Sequence, residues 1–293
     1  MKRFMQWPWV LLLFFFLLFL PACFPSKKVT VASTATLLEE IAKASNKQSD
    51  LRLIREGTPA YLMLMDGMVE AYPGSDQLLL ATAKAYASYA SIFDEDEDKE
   101  YAKSLLGRGK EYALRSLEVR GLKDPLRTPF EEFKASLQGF GKEDVPYLFW
   151  GASCWADWIA HHLDSMEALA DLPRVESMMN RVLEIDEGYF YGGPHLFMGI
   201  WFSSRPPLAG GDLKRAQRHF LKALELGQGK FLMVYVYYAN YYARQAMDRD
   251  LFLSTLQNVL ETPARVSPDL TLVNTIAKKK AQALLGRVED YFD

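Results

Sequence analysis

Apolar positions along this chain recur every three or four residues over most of its length, the spacing that places them on one face of an α-helix. The pattern is clearest from 213 to 226, where Leu213, Ala216, Phe220, Ala223 and Leu224 fall at helical spacing. Lys214, Arg215, Arg218, Lys222 and Glu225 take the remaining turns. A helix before it starts at Gly192-Gly193-Pro194-His195, where Gly193 can cap and Pro194 supplies a helical φ without needing its missing N–H. That helix reads on to Ser204 and breaks at Arg205-Pro206-Pro207-Leu208-Ala209-Gly210-Gly211, a run that two prolines and two glycines keep out of helix. Asp212 then offers a carboxylate to the open N–H groups of the next helix. The unit is helix, long elbow, helix.

The same punctuation divides the rest of the chain. Short helices are predicted over 36–44 and 48–57, another over 59–72 that Tyr72-Pro73-Gly74-Ser75 stops, and a hairpin pairing 77–93 with 98–119. Gly107 and Gly109 in the second member are read as points of close helix contact. A short helix at 129–137, a loop at 139–144, a hairpin pairing 146–169 with 173–185, a helix at 231–247 and a long final helix over 270–292 complete the series. Leu117, Leu183, Leu224 and Leu260 each sit in a similar phrase that closes a second helix, and their spacing drifts around the tetratricopeptide period of about 34 residues. The last two units fit best. Gly199 and Phe202 take the small and aromatic places of one first helix, with Ala216, Phe220 and Ala223 in its partner, and Tyr235, Ala239 and Tyr242 serve the next. The elbow is an insertion relative to that pattern. The expected fold is all-α, a tetratricopeptide-like helical-hairpin solenoid with a long C-terminal capping helix.

The N-terminus has a different character. Met1-Lys2-Arg3 is basic, 10–20 is almost purely leucine and phenylalanine, and Leu20-Pro21-Ala22-Cys23 resembles a bacterial lipobox. The resemblance implies cleavage before Cys23 and a diacylglycerol on its thiol. The apolar run is shorter than the roughly 20 residues of a membrane span. Phe24 stands where an aspartate would favour the inner membrane, so the outer membrane is the expected residence. The organisation read from this is a signal peptide at 1–22, a lipidated tether at 23–35 and one helical domain at 36–293.

Composition is globular, 49% hydrophobic and 13% aromatic, and a net charge of −3 leaves no basic surface for nucleic acid. Two cysteines exclude a disulfide framework, and Cys154 among Ala152, Trp155 and Ala156 reads as a buried small hydrophobe. Asp94-Glu95-Asp96-Glu97-Asp98 alternates acids like a calcium loop, but Lys99 replaces the glycine and Leu105 the bidentate glutamate, so it is better read as a solvated turn at a helix N-terminus. His161, His162, His195 and His219 form no H-E-x-x-H, and His161 with Asp164 is too few ligands for zinc. Gly151-Ala152-Ser153-Cys154-Trp155 lacks the last glycine of a nucleophile elbow, and no Gly-Lys-Ser/Thr follows Gly210-Gly211-Asp212. No enzyme, metal or cofactor is expected. An enzyme would need convergence around His161, His162 or Asp164.

Aromatic residues carry the stronger signal. Tyr235, Tyr238 and Tyr242 form one stripe, Tyr237 and Tyr241 a second, and Arg244 follows one turn on. Two stripes imply that both faces are covered, by neighbouring helices or by a lined cavity; Trp150, Trp155, Trp158, Trp201 and Phe202 add to the set.

Gly192-Gly193-Pro194-His195, Gly199, Pro207-Leu208-Ala209-Gly210-Gly211-Asp212, the Ala216, Phe220, Ala223 helix, and Tyr238-Ala239-Asn240-Tyr241-Tyr242-Ala243 with Asp248-Arg249 and Phe252 together resemble the T-component family of TRAP transporters. The resemblance implies a non-catalytic, helical periplasmic lipoprotein that associates with the substrate-binding P-component of a tripartite ATP-independent transporter. It also implies a trimer whose protomers each carry a channel for a small, apolar ligand. From this chain's own chemistry, the expected ligand or partner site comprises Gly193, Pro194, His195, Pro207, Gly210, Gly211, Tyr238, Tyr242 and Arg244, with the 192–195 turn and the 207–212 elbow shaping one mouth. The alternative is a tetratricopeptide scaffold lipoprotein in cell-envelope assembly.

Overall fold

The computed structural model describes residues 27–93 and 98–292, and the chain divides into two units, Met1–Leu37 and Leu38–Asp293. The signal peptide and Cys23 lie outside the described residues. Helix α1 (Lys27–Asn46) runs through most of the stretch expected as a tether, and every later helix belongs to the second unit. Among the described residues every regular element is a helix.

Helix α2 (Leu51–Ala71), capped by the Asp50 carboxylate on the Arg52 and Leu53 N–H groups, is continuous where a break at Pro59 was expected. Proline cannot donate to the carbonyl four residues back, that of Arg55. A neighbour supplies the missing donor: the Tyr89 hydroxyl of α3 (Asp76–Ala90) donates to the Arg55 carbonyl at 3.0 Å. The helix survives because the defect is used as a tie.

Helix α3 pairs with α4 (Lys99–Val119), whose N-terminus Asp98 caps through the Tyr101 N–H; the remaining acids of that run, 94–97, lie outside the described residues. Gly109 faces Ala83 and Tyr86 with room for a methyl at 3.6 Å, so the close contact expected there does not require glycine. Gly151 sits closer, where a Cβ would come within 2.6 Å of the Leu117 Cδ1 and 2.8 Å of the Met178 Cε and would displace those methyls. At the end of α4, Arg120 binds Asp144 and, at 3.2 Å, Asp76, while Tyr147 donates to the same Asp76 at 3.1 Å. That knot joins α3, α4 and the start of α6 (Val145–Ala160).

After α5 (Phe130–Ser136), α6 ends at His161, not at 169 as predicted. The rings of His161 and His162 turn back onto the Asp157 and Trp158 carbonyls at 2.9 and 2.7 Å, and Ser165 caps the next short helix, α7 (Met166–Ala170). Local side-chain bonding to the backbone outcompetes helix propagation there. Helix α8 (Leu172–Asp186) packs on α6, and α9 (Tyr189–Ser203) pairs with α10 (Leu213–Gly227). Helix α11 (Met233–Tyr237) runs into a π-helical turn, Tyr238–Ala243, that the 3.6 period does not reveal.

Helices α12 (Arg249–Glu261) and α13 (Thr271–Leu285) come next, and the single final helix that was expected breaks at Gly286-Arg287 into α13 and α14 (Val288–Phe292). Phe292 and Tyr291 fold back onto Phe252 of α12, with ring centroids 5.2 and 6.0 Å apart. The fully buried Asn274 of α13 accepts from the Leu232 N–H and donates to the Lys230 and Ala264 carbonyls. Helix α13 also meets α2, and Lys47 pairs with Asp269 at 3.6 Å, so the series of hairpins closes on its own beginning.

Replacing Tyr89 by Phe strands the Arg55 carbonyl beside Pro59 and is expected to cost about 1–2 kcal/mol in urea unfolding. Adding Pro59→Ala restores an N–H donor, so the double variant should recover most of that loss; additive losses would show that the tie is not what carries the helix past the proline.

Candidate functional site

Three consecutive residues enter α9 in left-handed backbone: Phe190 (φ 47, ψ 55), Tyr191 (φ 59, ψ 36) and Gly192 (φ 78, ψ 22). For residues with a Cβ that conformation costs about 1–2 kcal/mol each, so two aromatic side chains are held there by their surroundings. Phe190 packs against Phe149, Trp150 and Phe231 at centroid distances of 5.9, 5.4 and 5.6 Å. Gly192 is obligatory twice over, by its φ and because a Cβ would stand 3.0 Å from the Leu226 Cβ and 3.2 Å from the Ala223 Cα. Gly193 follows against Phe149, which a methyl would meet at 2.7 Å, and Pro194 opens the regular helix.

A polar clip spans the turn. Glu187, before it, meets His195, after it, at 3.0 Å through Nε2, and the other ring nitrogen of His195 meets Nδ1 of His219 on α10 at 2.9 Å. Between two facing Nδ1 atoms there is room for one proton, so one ring donates and the other accepts. Burial, followed by the charges of His195, Arg215 and Arg218, pushes His219 down to about 4. The hydrogen bond to His195 holds the Glu187 carboxyl below its usual range. His219 also stacks on Phe202 at 5.6 Å, and Arg215 covers the Phe202 ring at 3.9 Å.

The elbow lies at the far end of α9. Gly211 and Ala209 donate to the Pro206 carbonyl, Gly210 to that of Pro207, and Asp212 to that of Phe202 while its carboxylate caps α10. Gly210 has φ 87, and a Cβ on Gly211 would lie 1.8 Å from the Arg205 oxygen, so both glycines are requirements of the turn. Some ten helical residues at 1.5 Å each, about 15 Å, separate His195 from Pro207. The 192–195 turn and the elbow are therefore opposite ends of one hairpin and do not form a single mouth.

The tyrosine stripes divide in function. Tyr238 is buried on Phe220 at 5.4 Å and stacks on Tyr242 at 5.1 Å, which makes that stripe packing. Tyr237 and Tyr241, 5.8 Å apart, occupy the other side. Arg244 donates to Asn240 and lies 3.7 Å above the Tyr291 ring, tying α14 to the π turn. The residues expected to form one site thus fall in three places: turn, elbow and π segment. A half-open groove of ≈ 580 Å³ between α5 and α8, lined by Phe130, Pro173, Asn180 and Arg181 among others, contains none of them.

On α6, Trp150 carries the Lys84 ammonium 5.5 Å above its ring, and burial lowers the Lys84 pKa. Asp157, two turns along the same face, touches water yet is walled in by protein, which pushes its carboxyl up to about 6 against the pull of His161 and of Lys280 from α13. His161 and His162 are spent on their own helix, and among the described residues no group of three metal-ligating side chains converges. Cys154 is buried, which pushes its thiol up. Glu187 and His219 are the residues that sequence reasoning missed; 24 positions separate the two histidines, and only the packing of α9 on α10 unites them.

Fold and site together define an all-helical protein of packed hairpins whose distinctive features are a strained aromatic turn and a rigid elbow at opposite ends of one hairpin. The model of the family named TRAP transporter T-component matches residues 47–292, and the chain belongs to that family. It is thereby an accessory component of a transporter, from a family of non-catalytic subunits. A search of curated proteins finds no match. Such a component fits a periplasmic location, and among the described residues no helix is long and apolar enough to cross a membrane.

Gly192→Ala should cost about 2–3 kcal/mol in thermal or urea unfolding, from left-handed strain and overpacking together. Because folding holds the His219 pKa at about 4, below its unfolded value, the unfolded chain takes up the proton first. Stability should therefore fall as pH drops from about 6.5 towards 4. His219→Gln should remove that part of the slope, read as Tm against pH; an unchanged slope would mean that the clip does not sense acid.

Proposed function

We propose that this chain is the lipid-anchored, periplasmic T-component of a tripartite ATP-independent transporter, and that it acts by binding the substrate-binding P-component. The observation that carries the reading is the family match over nearly the whole helical unit, residues 47–292. In this reading 1–22 is a signal peptide, Cys23 carries the lipid, and 36–293 is one helical domain held at the membrane surface, the outer membrane in preference to the inner. Two acyl signals are enough to hold a domain at a bilayer without a spanning helix.

The two ends of the α9–α10 hairpin serve as the contact regions: His195 at one, where the buried Gly193 and Pro194 set the shape of the turn, and Pro207, Gly210 and Gly211 at the other. The aromatic and charged face of α6, with Trp150 under Lys84 and Asp157 two turns along, supports a role in holding or passing a small, largely apolar ligand with a polar end, since an aromatic face bears its body and a few charges orient it. Tyr238, Tyr242 and Arg244 act in this reading by holding the π segment in shape. Assembly as a trimer belongs to the same proposal.

Native mass spectrometry of the protein extracted from its own envelope tests this directly. A complex with the substrate-binding subunit of the transporter, in a stoichiometry of three protomers, is the expected result, and a mass lacking both would refute it. Cys23→Ala should move the chain from the membrane fraction to the soluble fraction. Recovery of outer-membrane assembly proteins in place of the P-component would favour the envelope-scaffold alternative.

A further inference from the structure

We infer that the outward side of the α9–α10 hairpin, from Leu208 of the elbow along Lys214, Arg218 and Leu221, docks a protein whose contact surface is acidic around an apolar pocket. The inference rests on the proposed association with the P-component and names the chemistry of that contact.

Charge is the first observation. The chain is net −3, yet residues 189–224 hold Arg205, Lys214, Arg215, Arg218 and Lys222 against a single carboxylate, Asp212, which is occupied in capping α10. Most of these cations are already engaged: Lys222 pairs with Glu225 at 3.0 Å, Arg215 covers Phe202, and Arg205 lies 3.7 Å from the Trp201 ring. Lys214 and Arg218 have no hydrogen-bond or ion-pair partner among the described residues. They stand one helical turn apart, with half-exposed Leu221 on the next, opposite the buried Ala216, Phe220 and Ala223.

The second observation is Leu208. Its relative exposure of 104% is the highest of any large apolar side chain described. The turn that presents it is pinned by Pro206, Pro207 and the four backbone bonds that close the elbow, so the side chain cannot fold back onto the protein. An apolar knob on a rigid turn loses little conformational freedom on binding. Six residues before Lys214, the first cation of the ridge, it adds an apolar element to an interface with a charged rim. An acidic partner would be steered to the ridge over a Debye length and then receive the leucine in a pocket. A lipid surface fits less well, because membrane binding scales with inserted apolar area and one leucine supplies little.

The test uses the full-length chain in detergent and the purified substrate-binding subunit of its transporter, with association and dissociation rates read at low and high salt. Lys214→Glu with Arg218→Glu should slow association about tenfold at low salt and leave dissociation nearly unchanged. Leu208→Asp should speed dissociation about tenfold. These side chains are exposed, and circular dichroism of each variant checks that the fold is intact. Wild-type binding with unchanged rates in both variants would overturn the inference while leaving the partner reading standing; no wild-type binding would overturn both. Phosphatidylglycerol vesicles form a second arm: capture that the charge reversal abolishes, with subunit binding untouched, would assign the surface to lipid and overturn it as well.

Discussion

Carbonyl groups freed where a helix stops or bends must find donors, and in this chain local backbone N–H groups are joined at several key points by side chains of neighbouring elements. Tyr89 reaches the Arg55 carbonyl that Pro59 leaves open, Lys278 takes the last carbonyls of α12 at Leu260 and Thr262, and Arg181 takes that of Phe140. Asn274 does the same for the Lys230 and Ala264 carbonyls and accepts from the Leu232 N–H as well, between α11, α12 and α13. Each break in the helical pattern is thereby also a joint between elements. The hairpins are stacked by apolar burial, whereas their angles and ends are set by this polar stitching. A short, interrupted helix such as α7 or α11 would be marginal alone; here it is held by what its ends are bonded to.

The entry to α9 obeys the same logic under strain. Two aromatic residues in left-handed backbone store energy that their packing on Phe149, Trp150 and Phe231 offsets, and Glu187 and His195 clip the two sides of the turn together. His219 extends the clip to α10, so the turn, the hairpin and one shared proton form a single arrangement. The elbow at the other end reaches rigidity by different means, with prolines, obligatory glycines and backbone bonds alone. One end of the hairpin is therefore chemically responsive and the other is fixed.

Much of this was legible in the residues. Asp212 and Asp98 sit at the helix N-termini where their charge placed them, Gly199 lies against the Phe220 ring as the small member of a close helix pair, and the α9–α10 hairpin begins and ends within a residue or two of its Gly and Pro signals. The failures share a cause. Pro59 read as a break because the rescuing hydroxyl is thirty-four positions away, and 146–169 read as one helix because apolar periodicity outlasts the point where His161 and His162 end it. The π turn at Tyr238–Ala243 preserves composition while changing pitch, so apolar periodicity does not reveal it, although the two tyrosine stripes read from the sequence do separate. Of the candidate site, His195 was visible as a residue, but its meaning depended on Glu187 and His219, which only tertiary packing supplies.

The contact between α13 and α2 has a consequence for synthesis. A chain whose last long helix touches its second helix cannot make all its native contacts in the order in which it is made. One flank of α2 stays uncovered until residues near Leu285 have emerged, and the buried Asn274 and Ile276 have no native surroundings before then. Assembly thus has a late, long-range closing step, and during that interval the open flank is the part of the nascent protein most in need of a protective companion.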